Sequence, residues 1–409
     1  MTVSLLTSGA MTPATGATAI VVGGGFGGTY AAKGLARHGI ETTLVDANGF
    51  QTFQPMLYQA ATGIISPSDI RFPLDDLSGV SVVASRAAAI DTTNARVTLA
   101  DGRVLNADYL VLATGASVNF FGVSGAADYA LPLYTSADAA AIKARIQTLV
   151  EARQKFSITV IGAGATGVEI TGALSDILDY VLPRTFPTFR REHVDLQIVD
   201  HASEPLAHMS TAGQSYARRI LTDAGVAFHL GREVVTVTPE QVTLDDGTAL
   251  RSDLTIWAGG LRVTLPSLTP APELTRGGRV VIDETLRIPG SDRTYCIGDA
   301  AAHADQPLPQ LGSVAKQQGI AVAHSIRRHI KGEHPKSFAY RDLGDMAMVR
   351  HDAAVVEVGP HHQEVSGKMS YLMWLGLHTY LLPGDQHRLD AVRSWVHEQV
   401  TGKSQFLRD

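Results

Sequence analysis

The sequence predicts an α/β protein with parallel sheets, because one strand–glycine turn–helix–strand unit occurs twice along the chain. The first copy starts with the apolar run 19–22 and the glycine turn GGGFGG at 23–28. The second copy starts with the apolar run 158–161 and the glycine turn GAGATG at 162–167. This unit is the one from which parallel sheets are built. Its repetition indicates two domains of the same type.

Each copy continues with a helix and a further strand that ends in an aspartate, Asp46 or Asp200. The predicted helices cover 29–38 and 168–181, and the predicted strands cover 41–45 and 195–199. Outside the two copies, we predict strands over 80–83, 96–99 and 109–112, helices over 136–155 and 313–330, and strand-like sequence over 283–301. Helices and strands that alternate in this way are typical of α/β domains.

Charge and cysteine usage exclude several classes of protein. The net charge of -6 and the lack of a Lys/Arg-dense run argue against a nucleic-acid partner. The single cysteine, Cys296, excludes an internal disulfide and a redox-active Cys-x-x-Cys pair. Because Cys296 lies in an apolar run, we predict a buried, inert thiol.

The lack of a recognisable signal peptide or membrane-spanning run favours a cytoplasmic protein. Residues 1–18 lack the basic and apolar regions of a signal peptide, and we predict a flexible lead there. No run reaches the roughly 18 to 20 apolar residues that a membrane-spanning helix needs. We therefore expect a cytoplasmic protein, or one that is peripheral on the inner face of the cell membrane.

The glycine turns have the spacing G-x-G-x-x-G, in which each glycine has a separate role. The first permits the tight turn, the second lets a pyrophosphate approach the backbone, and the third lets the helix pack closely on the strand. The N-terminus of the helix favours phosphate charge. The alternative is a glycine-rich turn without a ligand. The three glycines are Gly23, Gly25 and Gly28 in the first copy, and Gly162, Gly164 and Gly167 in the second.

The two aspartates refine this prediction. Asp46 follows the last glycine of its turn by 18 residues, a position from which a carboxylate accepts the ribose hydroxyls of an adenosine. Asp200 follows its turn by 33 residues, and the segment 180–187 accounts for the extra length. A carboxylate at Asp200 would repel a 2′-phosphate, which favours NADH over NADPH. Three basic side chains could weaken that preference: Arg190, Arg191 and His201. Two such sites in one chain suggest FAD paired with NADH.

Seven motifs, in their order and spacing, resemble those of type II NADH:quinone oxidoreductases. The likeness runs from about residue 19 to residue 388. The motifs are GGGFGG at 23–28, FQPMLYQAATG at 53–63, ATG at 113–115, GAGATGVE at 162–169, WAGG at 257–260, GDAA at 298–301 and VAKQQG at 314–319.

The resemblance implies two Rossmann-like dinucleotide-binding domains and a C-terminal α/β tail with amphipathic helices. It predicts an FAD-binding domain over 19–118 and 280–333, an NAD(H)-binding domain over 119–279, and a membrane-surface or dimerisation region over 334–409. The implied activity is a non-proton-pumping, FAD-dependent NADH dehydrogenase with a quinone-type acceptor. Two alternatives stay open: a soluble flavin reductase that serves a ferredoxin-like protein or small molecule, and a non-catalytic NADH-sensing flavoprotein.

The resemblance also implies roles for individual residues. Glu169 would approach the nicotinamide, and Gln317 and Gln318 would lie near the isoalloxazine and the quinone; these are the candidate catalytic residues. The candidate cofactor-binding residues are Gly23, Gly25, Phe26, Gly27, Gly28, Asp46, Thr114, Gly115, Gly162, Gly164, Thr166, Gly167, Asp200, Gly259, Gly298 and Asp299.

Each of these roles has a structural alternative. Glu169 could be a solvated helix acid, and the two glutamines could be surface residues. Thr114 and Gly115 could form a plain turn, and Asp299 could be a helix cap without a ligand.

Two departures from the family pattern stand out. The family often has Ala-Gln where this chain has Gly312 and Ser313, which weakens the prediction of a quinone site. The family commonly has Glu where this chain has Asp200, so that the same carboxylate has a shorter reach.

The tail contains an apolar segment, 369–382, that is too short to span a bilayer. A second segment, 385–400, places its apolar residues on one helical face. We interpret the tail as a membrane contact beside the entrance for a lipid-soluble acceptor. The alternative is a helix that packs on the protein's own core or on a second subunit in a homodimer. No metal site is predicted, and His361-His362 is interpreted as a solvated loop pair.

Overall fold

The computed structural model describes residues 15–152, 154–359 and 363–382. The chain divides into two compact units, which are called the first and the second unit below. The first unit comprises 1–51, 72–117 and 261–341, and the second comprises 52–71, 118–260 and 342–409. Compared with the predicted domains, 52–71 and 342–409 are part of the second unit, and 261–279 are part of the first. The predictions at 1–14, His361-His362 and 385–400 lie outside the described residues.

The helices vary from single turns to a 19-residue helix. They are α1 (Phe26–Arg37), α2 (Leu57–Ala61), α3 (Ala126–Tyr129), α4 (Ser136–Glu151), α5 (Ala165–Asp176), α6 (Leu182–Thr185), α7 (Thr211–Asp223), α8 (Gly312–Ile330) and α9 (Lys368–Leu381).

The strands are short, with seven residues at most. They are β1 (Thr18–Val22), β2 (Glu41–Asp46), β3 (Phe50–Thr52), β4 (Arg71–Pro73), β5 (Val80–Ala84), β6 (Ala87–Asp91), β7 (Arg96–Leu99), β8 (Val104–Asn106), β9 (Tyr109–Leu112), β10 (Ser117–Val118), β11 (Ala130–Pro132), β12 (Phe156–Ile161), β13 (Val194–Asp200), β14 (Val226–Leu230), β15 (Val234–Val237), β16 (Gln241–Leu244), β17 (Ala249–Arg251), β18 (Leu254–Trp257), β19 (Leu261–Arg262), β20 (Ser267–Thr269), β21 (Val280–Ile282), β22 (Thr294–Cys296), β23 (Ala301–His303), β24 (Gly344–Arg350), β25 (Ala353–Val358) and β26 (Gln363–Gly367).

The first unit is built on a five-stranded parallel sheet with the order β22-β9-β1-β2-β5. Val22, near the end of β1, pairs with Val45 of β2 and with Leu112 of β9. The carboxyl ends of these three strands therefore meet at one edge, where parallel sheets usually place their binding sites. A second sheet, β20-β6-β7-β8, and the pair β21-β23 complete the unit.

The second unit repeats this plan with the order β11-β18-β12-β13-β14, again all parallel. Ile161 of β12 pairs with Val199 of β13 and with Trp257 of β18. The two units thus have the same arrangement around their glycine turns, with β9 and β18 in corresponding positions. Two antiparallel sheets, β15-β16-β17 and β24-β25-β26, are also part of the second unit. The predicted pair of Rossmann-like folds is confirmed.

The cores explain why the strands read as apolar runs in the sequence. All residues of β9, β12 and β18 are buried, as expected for parallel strands that are covered on both faces. In the first unit, α1 and α8 pack closely, since a Cβ added at Gly34 would lie 2.6 Å from the Cβ of Ala323. The apolar residues around these elements form one continuous buried cluster.

Most predicted elements are present within a few residues of their expected bounds. The extra length before Asp200 is taken up by a π-helical turn, Ile177–Val181, by α6 and by a short 3-10 turn, Arg191–His193. The strand-like sequence 283–301 does not form one strand. It contains β22, followed by a 3-10 turn over Gly298–Ala300, because the positive φ of Gly298, +68°, turns the chain there.

Candidate functional site

The first glycine turn has the geometry that its sequence predicts. Gly23 has a φ of +107°, and a Cβ added there would lie 2.2 Å from the carbonyl oxygen of Ala113. A Cβ at Gly28 would lie 1.8 Å from the carbonyl oxygen of Gly23. At Gly25, by contrast, an added Cβ would have no atom of the described residues within 4 Å. Two glycines are therefore required by the fold, whereas Gly25 faces open space.

The second glycine turn reproduces this pattern. Gly162 has a φ of +104°, and an added Cβ would lie 3.0 Å from the backbone of Ala258. A Cβ at Gly167 would lie 1.7 Å from the carbonyl oxygen of Gly162. A Cβ at Gly164 would again have no atom within 4 Å among the residues that the structure describes. The same two roles and the same open position occur in both units.

The helix ends beside these open positions suit an anion. Gly25 and Gly164 are the N-cap residues of α1 and α5, and neither helix has a side-chain cap or an acid in its first turn. The first N–H groups of a helix need acceptors, and the helix dipole favours negative charge there. Phe26 and Gly27 lie in the first turn of α1, and Thr166 lies in that of α5. Both turns fit the pyrophosphate of a dinucleotide.

The two strand-end aspartates bind back to the glycine turns. The N–H of Gly24 donates to Asp46 Oδ2 at 2.8 Å, and the N–H of Ala163 donates to Asp200 Oδ2 at 2.5 Å. His201 Nδ1 lies 3.1 Å from Asp200 Oδ1. The aspartates thus hold the shape of both turns and keep a carboxylate beside each open position.

The segment after β9 contains a buried polar atom without a partner. Within the described part of the chain, Thr114 Oγ1 is buried and makes no hydrogen bond. Gly115 follows it with a φ of +68°. A buried hydroxyl without a partner is costly, so this atom is suited to a ligand that lies at the edge of the sheet.

Asp299 lies in the 3-10 turn that ends the first unit's sheet. Burial raises the pKa of its carboxyl group, and the guanidinium of Arg279 acts in the opposite direction. The neighbouring Gly298 donates its N–H to Oε1 of Gln318 at 2.6 Å. Gln318 is buried and therefore connects α8 to this turn.

Gln317, unlike Gln318, does not hydrogen-bond the Gly298–Ala300 turn within the described residues but pairs with Arg341. Its Nε2 donates to the carbonyl oxygen of Arg341 at 3.0 Å, and its Oε1 accepts the N–H of Arg341 at the same distance. Both polar atoms of the side chain are thus paired with backbone in the first unit. Ser313, where the family often has Gln, pairs with Tyr340 Oη at 3.0 Å.

Gly259 follows β18 in the second unit. The indole N–H of the buried Trp257 donates to the carbonyl oxygen of Gly259 at 2.5 Å and to that of Asn119 at 3.0 Å. The WAGG segment is therefore held beside Gly162, in the position that Ala113 to Gly115 occupy in the first unit.

Glu169, in the second turn of α5, is partly buried, and its carboxyl group contacts β24 and α9 of the second unit. Burial raises its pKa to about 8, while hydrogen bonds from the N–H of Met348 and from the side chain of Trp374 act in the opposite direction. The N–H of Met348 lies 3.3 Å from Glu169 Oε1. The residue is thus partly buried and its carboxyl group is hydrogen-bonded, unlike a fully solvated helix acid.

Comparison with known proteins identifies the family. A family model described as pyridine nucleotide-disulphide oxidoreductase matches residues 17–319. The type II NADH:quinone oxidoreductase Ndh of Mycobacterium tuberculosis is 32% identical, and the alignment covers 92% of this chain and 87% of that protein. The chain belongs to the type II NADH:quinone oxidoreductase family.

A further curated relative has the same family name, and a solved structure has the same fold. The type II NADH:quinone oxidoreductase of Staphylococcus saprophyticus is 26% identical, with 87% of this chain and 92% of that protein covered. The structure of NDH2 from Plasmodium falciparum in complex with NADH has a TM-score of 0.88 at 16% identity, covering 95% of this chain and 99% of that chain. The likeness to the NDH2 structure supports the assignment of the fold.

The broader name of this superfamily mentions disulphides, but this member has no cysteine pair. Cys296 is fully buried, and burial raises the pKa of its thiol to about 12. The thiol is therefore protonated and inert at neutral pH, as we predicted.

Three residues around Glu169 were not predicted as site residues. Tyr58 of α2 is buried, and burial and Glu169 raise the pKa of its phenol. Trp374 and His378 of α9 face the interior of the second unit. In the sequence, Tyr58 lies in the motif at 53–63, and Trp374 and His378 lie in the apolar tail segment 369–382. The spacing of Trp374 and His378 could have identified them, because residues four apart lie on the same face of a helix.

The raised pKa of Glu169 predicts a pH-dependent stability. Between about pH 4.5 and pH 8 the unfolded chain has this carboxyl ionised while the folded protein keeps it protonated, so stability falls as pH rises. Glu169→Gln removes this cost. We expect the melting temperature of the variant to exceed that of the unchanged protein by an amount that grows from pH 5 to pH 8. The exposed Glu240→Gln is the control, and an equal gap at both pH values would contradict the prediction.

Proposed function

We propose that this protein is an FAD-dependent NADH dehydrogenase that passes electrons to a quinone. The observation that carries the proposal is the pair of glycine turns, each with a second glycine that faces open space at an uncapped helix N-terminus. Two phosphate sites in one chain suit one resident and one exchanging dinucleotide. The flavin supplies the redox chemistry, by accepting hydride from NADH and returning two electrons to the acceptor.

The first unit is the proposed FAD site. Gly25 leaves room for the pyrophosphate, and Asp46 offers carboxylate oxygens to the adenosine ribose. Thr114 Oγ1, which has no partner among the described residues, and Asp299 are placed to bind further polar groups of the cofactor. Gln318 holds the Gly298–Ala300 turn in shape.

The second unit is the proposed NADH site. Gly164 leaves room for the pyrophosphate, and the carboxylate of Asp200 disfavours a 2′-phosphate and so favours NADH over NADPH. Trp257 holds Gly259 in place beside this turn. Glu169 orients the nicotinamide and holds a proton on its carboxyl group near neutral pH. The proposed role of Gln317 is to keep the start of α8 in position near the quinone.

An anaerobic titration tests this function. NADH added to the purified yellow protein should bleach the flavin absorbance, and a quinone added afterwards should restore it. A soluble reductase would instead stay reduced with quinones and turn over quickly with a protein acceptor. Bound flavin that NADH does not bleach would contradict the proposal and favour a sensor.

The first apolar helix of the tail is the proposed membrane contact. α9 exposes large apolar side chains on one face, including Met369 at 63% and Leu372 at 57%, and buries Trp374 on the other. Within the described ranges, no helix is both long enough and apolar enough to cross a bilayer. Because the proposed acceptor is lipid-soluble, we propose that this face lies on the membrane surface.

Two substitutions on the exposed face test the membrane contact. The double variant Leu372→Gln, Leu377→Gln should lower the partitioning of the protein into phospholipid vesicles several-fold, because about 25 cal/mol is lost per Å² of buried apolar surface. Reduction of a water-soluble quinone should be unchanged. The control is Val104→Gln, Val235→Gln, which removes exposed apolar side chains elsewhere. Unchanged partitioning together with loss of a dimer in sedimentation would instead assign the face to a homodimer.

A further inference from the structure

The inward face of α9 has an unusual composition for a helix that packs on a protein core. Its most buried residues are Ser370, Trp374 and His378, at 0, 1 and 7% exposure, whereas both of its methionines and two of its leucines are exposed on the outer face. Apolar side chains normally occupy the inward positions of such a helix. Two of the three inward residues, Trp374 and His378, instead bring an aromatic ring with a polar N–H group to the interior.

Trp374 is the residue through which α9 contacts Glu169. Its indole N–H hydrogen-bonds the carboxyl group of Glu169, and its ring meets the Tyr58 ring edge-on at 6.1 Å between centroids. The indole N–H can donate a hydrogen bond but cannot accept one. It therefore favours the ionised carboxylate of Glu169 over the neutral acid.

His378 fixes the orientation of that indole. Its imidazole lies 3.9 Å from the indole, centroid to centroid, at an interplanar angle of 19°, so that the two rings are stacked. His378 Nδ1 lies 2.9 Å from the carbonyl oxygen of Trp374, which accepts the Nδ1 proton. Burial lowers the pKa of His378 to about 4, and the ring is therefore neutral at working pH.

We propose that Trp374 and His378 are positioning residues for Glu169: the indole N–H holds the carboxyl group, and the stacked imidazole holds the indole. This inference rests on the proposed function, in which Glu169 faces the nicotinamide. In that setting the pair decides where the carboxyl group points and at which pH it releases its proton.

Other titratable and hydrogen-bonding groups near the Glu169 carboxyl group also influence its pKa. Burial raises the pKa of the Tyr58 phenol of α2, and the nearby Tyr371 of α9 acts on it in the same direction. Asp176, two turns further along α5, is paired with Arg350 at 2.8 Å. From β24, the N–H of Met348 donates to Glu169. None of these contacts involves the indole N–H, so removing that donor is a selective change.

The test follows the carboxyl group itself, without turnover. The C=O stretch of the protonated Glu169 is titrated by infrared difference spectroscopy in the FAD-loaded protein, and Glu169→Gln identifies the band. Trp374→Phe keeps a large ring but removes the donor, and it should raise the titration midpoint by about one pH unit. The matching limb of the pH profile of kcat should move in the same direction.

A double-mutant cycle separates positioning from general packing. His378→Leu removes the stack and should shift the midpoint in the same direction, whereas the double variant should shift it no further than Trp374→Phe alone. Leu372→Ala, on the outer face of α9, is the control for helix stability and should leave the midpoint unchanged.

The proposal is overturned if Trp374→Phe lowers the melting temperature but leaves the titration midpoint in place. Additive shifts from the two single variants would remove His378 from the role. If the midpoint moves as expected but NADH does not bleach the flavin in the unchanged protein, the positioning is correct and the proposed function is not.

Discussion

Gly25→Ala is expected to leave the first unit folded and to weaken FAD binding by about 5- to 150-fold, as for about 1–3 kcal/mol of steric conflict. In the described part of the chain the added Cβ meets no atom within 4 Å, and the φ of -74° suits alanine. The conflict arises with the pyrophosphate alone. The flavin content after purification and the FAD dissociation constant measure the effect.

Two further glycine variants serve as controls for Gly25→Ala. Gly376→Ala, also without a protein atom within 4 Å of the added Cβ, should retain flavin fully. Gly28→Ala should fold poorly, because its Cβ would overlap the carbonyl oxygen of Gly23. Full flavin content in Gly25→Ala would exclude the first glycine turn as the FAD site.

Gly164→Ala makes the corresponding change in the second unit, with a different expected outcome. The protein should remain yellow and folded, since this position is also open and has a φ of -69°. Bleaching of the flavin should require about 5- to 150-fold more NADH. The measurement is the NADH concentration for half-maximal bleaching under anaerobic conditions.

The two variants together assign the ligands to the two units, because each is the matched control of the other. A colourless Gly164→Ala protein combined with a yellow Gly25→Ala protein would reverse the assignment. Equal loss of flavin in both would indicate that the two turns act as one structural element.

The sequence was sufficient to predict the paired folds because their determinants are local. A glycine turn needs a positive φ at its first glycine and close packing at its third, and both needs are met by residues within a few positions. The aspartate at the end of the next strand belongs to the same repeated unit, although it follows the turn by 18 residues in the first copy and by 33 in the second. Elements such as 96–99 and 109–112 were predicted with the bounds that the structure has.

The compact units could not be predicted as closely. The segment 52–71 joins the second unit although it lies between parts of the first in the sequence. Its helix α2 packs against α4 and α5, which come later in the chain. Such packing depends on side-chain surfaces that periodicity does not specify.

The environment of Glu169 was likewise beyond the reach of sequence. The motif places an acid on α5, but the N–H of Met348 and the indole of Trp374 come from β24 and α9, far along the chain. Sequence alone determined that two G-x-G-x-x-G turns exist, since a turn is made by neighbouring residues. Only the tertiary structure decided the protonation of Glu169, because burial and hydrogen-bond donors arise when distant segments pack together.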